Sequence, residues 1–171
     1  MEITLEQALS TEGWMSPDEL AFLAETAAKV PATGAIVEVG SYKGRSACAL
    51  AANTQATVYC VDTWRDGEPY GVHIDLFRAN TAKFPNIVPV HLASVDAAHV
   101  FKGERFDMIF IDAFHDEQNV RQDIAAWRPR LKEGGVFCGH DYGFTGWPDV
   151  KLVVDELFPG VRVVDTIWIA P

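Results

Sequence analysis

Acidic and imidazole side chains recur in this chain directly after apolar runs. Asp112 follows Phe106-Asp-Met-Ile-Phe-Ile111, His115 comes three residues later, and His140-Asp141 follows the run that ends at Gly139. Two carboxylates with a third polar group make an oxygen-rich site suited to Mg²⁺ or Mn²⁺; His140 could join it, although imidazole favours softer metals. Asp112 and Asp141 are also residues that cap a helix start or a turn, so a structural role stays open at this level. His115 near the same pocket would be a general base for a hydroxyl proton, the alternative being a solvated histidine at a helix start. His73, His91 and His99 have no comparable neighbours and read as surface or structural residues.

A second set surrounds Val37-Glu-Val-Gly-Ser-Tyr-Lys-Gly-Arg-Ser46, where Gly40 and Gly44 join an apolar run to a helix-like one. A strand that turns at glycine into a helix brings backbone N–H groups and the positive helix end close to a ligand. The spacing is G-x-x-x-G. It is neither the G-x-G-x-x-G of nicotinamide proteins nor a phosphate loop with Gly-Lys-Ser/Thr. Glu38, inside the apolar run, would repel a pyrophosphate but suits an ammonium group. Asp62, followed by Thr63, closes the next apolar run, where an acid holds ribose hydroxyls in doubly wound sheets. One acid for an ammonium and one for a ribose point to S-adenosylmethionine. A glycine-rich turn of any α/β domain is the plain alternative.

The elements that must position these residues alternate along the chain. Ser16-Pro-Asp-Glu19 resembles a capping box with proline at the first helical position, opening a helix that runs to about Lys29. Strands are expected at residues 35–39, 57–61, 87–90, 106–111 and 136–139, with a short closing pair at 161–165 and 166–170. Helices are expected at 45–53, near 74–83, and at 95–101, 117–131 and 150–157, the fourth distorted in its last turn by Pro129. The 106–111 run is almost wholly apolar, as a central parallel strand should be. Such alternation predicts an α/β, doubly wound Rossmann-like domain with its sites at the carboxyl ends of the strands. Those ends read Gly40-Ser41-Tyr42, Asp62-Thr63-Trp64, Leu92-Ala-Ser94, Asp112-Ala-Phe114-His115 and Gly139-His140-Asp141-Tyr142. Strand ends are often polar because they are exposed, but chance seldom supplies this whole set.

Composition sets limits. The chain has 171 residues, a formal net charge of -10, 49% hydrophobic and 22% charged residues. That suits one domain, residues 1–171, with a helical segment over 1–30 and a Rossmann-like core over 35–170. The negative field opposes contact with nucleic acid or anionic lipid. With no apolar run of spanning length and no basic leader at Met1, the cytoplasm is the expected location. Cys48, Cys60 and Cys138 lie in apolar segments without metal-ligand spacing and read as small buried hydrophobes.

Together these segments resemble class I S-adenosylmethionine-dependent methyltransferases, in particular small metal-dependent O-methyltransferases of the macrocin and mycinamicin type and cephalosporin-hydroxylase-like proteins. The resemblance rests on residues 37–46, on Phe110-Ile-Asp-Ala-Phe-His115, and on Trp127-Arg-Pro-Arg-Leu-Lys-Glu-Gly-Gly135 running into Gly139-His-Asp-Tyr142; it covers roughly residues 30–170. It implies a seven-stranded, mostly parallel sheet with the last strand antiparallel. Gly40, Ser41, Tyr42 and Ser46 would then meet the methionine part of the cofactor, with Glu38 suited to its ammonium. Asp62 and Thr63 would take the ribose, and Ser94 and Phe114 would border the adenine. Asp112, shared with the cofactor side, would be the first metal ligand, with His140 and Asp141 in the paired position and His115 as base. His140 departs from the acid often found first in that pair.

The expected reaction is methylation of a small-molecule hydroxyl on a sugar or a phenol, with a divalent metal aligning the acceptor. Trp64, Tyr70, Tyr142 and Trp147 could stack on either kind of ring. The acceptor site would draw on the N-terminal helix, the loops at 64–71 and 144–148, or a second subunit of a homo-oligomer. A nicotinamide-dependent oxidoreductase and a non-catalytic cofactor-binding module are the alternatives. The missing third glycine and Glu38 disfavour the first, and the set Asp112, His115 and Asp141 disfavours the second.

Overall fold

The computed structural model of the protein describes residues 3–65 and 73–171. Its centre is a seven-stranded sheet ordered β3-β2-β1-β4-β5-β7-β6. The strands are β1 (Ala35–Val39), β2 (Thr57–Asp62), β3 (Ile87–His91), β4 (Phe106–Ile111), β5 (Leu131–Gly139), β6 (Arg162–Val164) and β7 (Ile167–Ile169). Pairings among β1 to β5 are parallel, whereas β7 runs antiparallel to both β5 and β6. Only two residues separate β6 from β7, too few for a crossover, so a reversal is the one connection available. The fold expected from the sequence is the fold observed.

The helices are α1 (Glu6–Ser10), α2 (Pro17–Ala27), α3 (Arg45–Ala52), α4 (Ile74–Thr81), α5 (Ser94–Val100), α6 (Glu117–Trp127) and α7 (Pro148–Leu157). The α2 start forms as its sequence dictates. Ser16 Oγ accepts from the Glu19 amide and Glu19 Oε2 accepts from the Ser16 amide at 2.8 Å, with Pro17 at the first helical position. The helix expected over 117–131 stops at Trp127, then tightens into a 3₁₀ turn at Arg128–Arg130, because Pro129 has no N–H to continue the ladder. Strand β5 therefore begins at Leu131, earlier than residue 136, and takes up Gly134 and Gly135 beside a register shift against β4.

Helix α1 falls in the expected helical segment 1–30, but as a separate element that the sequence did not mark. Five residues cannot hold a helix by themselves. A tertiary clasp holds this one: the Arg45 guanidinium donates to the carbonyls of Ala8, Leu9, Thr11 and Met15 at 2.6–3.3 Å. Both sheet faces are covered. Ile36, Met108 and Phe110 pack with Leu20, Leu23, Leu50 and Phe77, while Val37, Val39 and Ile109 pack with Ile124, Trp127, Val153 and Trp168. Alternate residues of β1 thus face opposite layers, which is why the strand is apolar throughout except at Glu38. Cys48, Cys60 and Cys138 are buried free thiols, as expected. Among the described residues no helix is long and apolar enough to cross a membrane. Strand order reverses between β1 and β4, so the crevice lies over their carboxyl ends.

Candidate active site

The turn after β1 is built for close approach. Gly40 has φ +92°, and a Cβ there would sit 1.9 Å from the Asp112 carbonyl oxygen. The ladder runs on past the strand ends, with the Gly40 amide on the Val61 carbonyl at 2.8 Å and the Asp112 amide on the Val39 carbonyl at 2.7 Å. Only glycine lets the two loops touch. Tyr42 then adopts φ +44°, a strained conformation for a residue with a side chain. Asp62 helps hold it: Oδ2 accepts from the Tyr42 amide at 2.8 Å and Oδ1 from the Trp64 amide at 2.6 Å. Each oxygen keeps a further lone pair for a ligand hydroxyl.

Glu38 is sealed under this turn with no solvent exposure. Burial pushes its carboxyl up to about 7, although the Ser41 and Ser46 hydroxyls oppose the shift. Neither Glu38 oxygen makes a well-formed hydrogen bond, and the buried Ser41 hydroxyl is also unmatched. An unmatched buried hydroxyl is rare in a native fold, and that of Ser41 fits a polar ligand group over the turn. Glu38 would act on that group through the turn rather than by touching it.

The other expected contacts are placed as follows. The Thr63 carbonyl lies 2.7 Å from His91 Nε2 at the strand end. Ser94 donates to Asp123 at 2.5 Å and accepts from Trp127 Nε1 at 2.9 Å, so its hydroxyl is engaged inside the fold. Burial raises the Asp123 carboxyl to about 6. Phe114 is 68% exposed at the rim. Trp64, expected to stack on an acceptor, instead lies in the core and donates Nε1 to the Tyr42 carbonyl at 2.8 Å. Tyr70 and most of the 64–71 loop lie outside the described residues. Tyr142 donates its hydroxyl to Asp155 at 2.6 Å, and Trp147 stacks on His115.

The strand ends of β4 and β5 bring the charged residues together. Ligand atoms of Asp112, His115 and Asp141 all lie within 4.8 Å of one another. His115 Nε2 is 2.9 Å from Asp141 Oδ2 and 3.7 Å from Asp112 Oδ1. Asp141 reaches this position through φ +64°, which aspartate tolerates better than most residues. His140, expected as a third metal ligand, borders the cluster through one edge of its ring. Its Nδ1 lies 3.4 Å from Asp141 and 3.6 Å from Asp112, but its Nε2 is turned 3.1 Å towards Glu19 Oε1 of α2. Sequence reasoning missed Glu19, because its signal was spent on the helix cap. The His115–Asp141 and His140–Glu19 contacts are short but off-line for hydrogen bonds, which makes them charge pairs.

The electrostatics follow from this arrangement. Burial by itself would lower both imidazoles, but facing carboxylates outweigh it. His115, between Asp112 and Asp141, is raised to about 9. His140, which also faces Glu19, is pushed up to about 12. Burial opposes ionisation of the acids, yet the two imidazoles hold Asp112 below its ordinary range and Asp141 further below. Two carboxylates and an imidazole form a donor set that fits a divalent cation.

The chain is similar to known structures throughout its length. An O-methyltransferase from Bacillus cereus in complex with SAH aligns at 20% identity and a TM-score of 0.70, over 100% of this chain and 92% of that one. CalS11, a TDP-rhamnose 3'-O-methyltransferase of calicheamicin biosynthesis, aligns at 14% and 0.66, over 96% and 78%. An rRNA methylase from Streptococcus thermophilus aligns at 14% and 0.63, over 92% and 97%. At such identities the likeness is one of fold. No curated protein sequence matches the chain. The family profile of a methyltransferase domain matches residues 37–142, spanning the glycine turn, Asp62 and the Asp112–Asp141 cluster, and the chain belongs to that methyltransferase domain family.

Proposed function

We propose that this protein is an S-adenosylmethionine-dependent O-methyltransferase of a small-molecule hydroxyl, within the macrocin and mycinamicin type subgroup that its motifs resemble. The observation behind this reading is the meeting of two sites. The Gly40 turn touches the backbone of Asp112, whose side chain belongs to the cluster with His115 and Asp141. A cofactor over the turn and an acceptor over the cluster would therefore lie side by side.

The sulfonium cofactor supplies a methyl group with its own leaving group, so the chain's task is alignment and removal of one proton. Asp62 would hold the ribose hydroxyls. Ser41, Tyr42 and Ser46 would line the methionine end, with Glu38 favouring its ammonium. Ser94 would meet the adenine through its backbone, since its hydroxyl is engaged, and Phe114 would cover it. Asp112 and Asp141 would hold a divalent cation, which lowers the pKa of a bound hydroxyl. His115 would take the acceptor proton. Its raised pKa makes it cationic at pH 7 while both carboxylates face it bare, and positive charge between them would return it towards the neutral form. Exposed Trp147 and Phe144 offer faces for a sugar or a phenol. The net charge of -10 favours such an acceptor over RNA.

Calorimetric titration with S-adenosylhomocysteine, with and without Mg²⁺ or Mn²⁺, tests the reading. Saturable one-site binding is expected. Binding of NAD with none of S-adenosylhomocysteine would replace it by the oxidoreductase alternative.

A further inference from the structure

The buried carboxylate of Glu19 lies next to the cluster and belongs to none of the roles above. It is 2% exposed. It joins three parts of the chain that are far apart in sequence. Oε2 accepts from the Ser16 amide at the start of α2. Oε1 accepts from the Thr166 amide at 3.1 Å and the Thr166 hydroxyl at 2.6 Å, at the β6–β7 turn. The same Oε1 faces His140 Nε2 at 3.1 Å. The Thr166 contacts and the cap are enough to anchor a helix, and they leave the imidazole contact unexplained.

His140 is 9% exposed, and its amide is fixed on the Ile111 carbonyl at 3.0 Å. With the backbone pinned, the side chain's remaining freedom is rotation of the ring. Glu19 attracts one edge of that ring, so the other edge is presented to Asp112 and Asp141. A charge contact of this kind is strong in a buried setting, where little water screens it.

We infer that Glu19 is a positioning residue of the transfer centre, acting through His140 to set where the Asp112 and Asp141 carboxylates sit. The inference rests on the methyl-transfer reading only for the name of that centre. It also explains why an N-terminal helix outside the family match, residues 37–142, packs against the site. Removing the carboxylate charge would release the ring, and the two aspartates would lose one of the two imidazoles they share.

The test is NMR of the full chain with labelled His and Asp side chains, comparing Glu19→Gln with Thr166→Val. Both variants weaken the anchor between α2 and the β6–β7 turn, but only the first changes the partner of His140. Glu19→Gln should shift the carboxyl carbon signals of Asp112 and Asp141 and the ring signals of His115, while Thr166→Val leaves them in place. Glu19→Asp, which keeps the charge but withdraws it, should shift them too, and it serves if the Gln variant does not fold. Unmoved signals in Glu19→Gln or Glu19→Asp, or equal shifts in Thr166→Val, would overturn the inference and leave Glu19 a fold anchor. Failure of the wild type to bind S-adenosylhomocysteine would sink the methyl-transfer reading alone, since the same spectra still report the carboxylates.

Discussion

The imidazole of His115 lies flat on the indole of Trp147, with ring centroids 4.7 Å apart and planes 16° apart. Trp147 comes just before α7 and His115 just before α6, so the stack ties two loops over the Asp112–Asp141 pair. Stacking fixes the ring plane while leaving the Nε2 edge towards the carboxylates. Removing the indole as Trp147→Ala should therefore slow methyl transfer while S-adenosylhomocysteine affinity stays near wild type. Aromatic contacts of this sort contribute about 0.5–1.5 kcal/mol, so a roughly twofold to thirteenfold loss in rate is expected. A rate loss matched by lost cofactor affinity would show that Trp147 serves the cofactor instead.

His115→Ala should retain cofactor binding and lose about 10²–10⁴-fold in rate, the usual size of a general-base contribution. The loss should shrink for an acceptor whose hydroxyl is already acidic. Near wild-type turnover on a sugar hydroxyl would end the assignment.

Asp62→Ala should weaken S-adenosylhomocysteine binding by about 1–3 kcal/mol, because ribose hydroxyls and the Tyr42 and Trp64 amides all lose their acceptor. Calorimetry of a variant with unchanged circular dichroism measures it. Unchanged affinity would move the ribose elsewhere.

Asp112→Asn and Asp141→Asn should each abolish tight Mn²⁺ binding, read by titration of the free ion in paramagnetic resonance. Stoichiometric binding that survives both changes would place the metal away from this cluster. Full activity of chelator-treated wild type would remove the metal's role altogether.

Stability without added metal should fall as pH rises from about 6.5 to 9. His115 is raised from 6.5 to about 9, so its contacts with Asp112 and Asp141 stabilise fully below 6.5 and fade as pH passes the folded value. Glu38, raised from 4.5 to about 7, makes stability fall over a lower window and is nearly spent by pH 7. Urea midpoints measured between pH 7 and 9 should therefore decline in wild type and decline less steeply in His115→Gln, where His140, raised to about 12, still contributes a slope. An equal slope in both would assign the titration to another group.

The sequence by itself determined the alternation of strands and helices, because apolar periodicity and glycine breaks are local signals. The Ser16–Glu19 cap and the position of each acid at a strand end were legible for the same reason. Helix α1 was not legible, since its stability comes from Arg45, 35 or more positions away along the chain, rather than from its own five residues. Nor was the burial of Trp64, which an aromatic residue at a strand end cannot reveal. The tertiary structure alone decided the second partner of His140. His115 lies with Asp112 and Asp141, the pocket its place after β4 suggested, while His140 turns one ring edge to those aspartates and the other to Glu19, because α2 and the β6–β7 turn place a buried carboxylate there. Spacing places a residue at a strand end, but only packing between distant elements decides which charge its side chain meets.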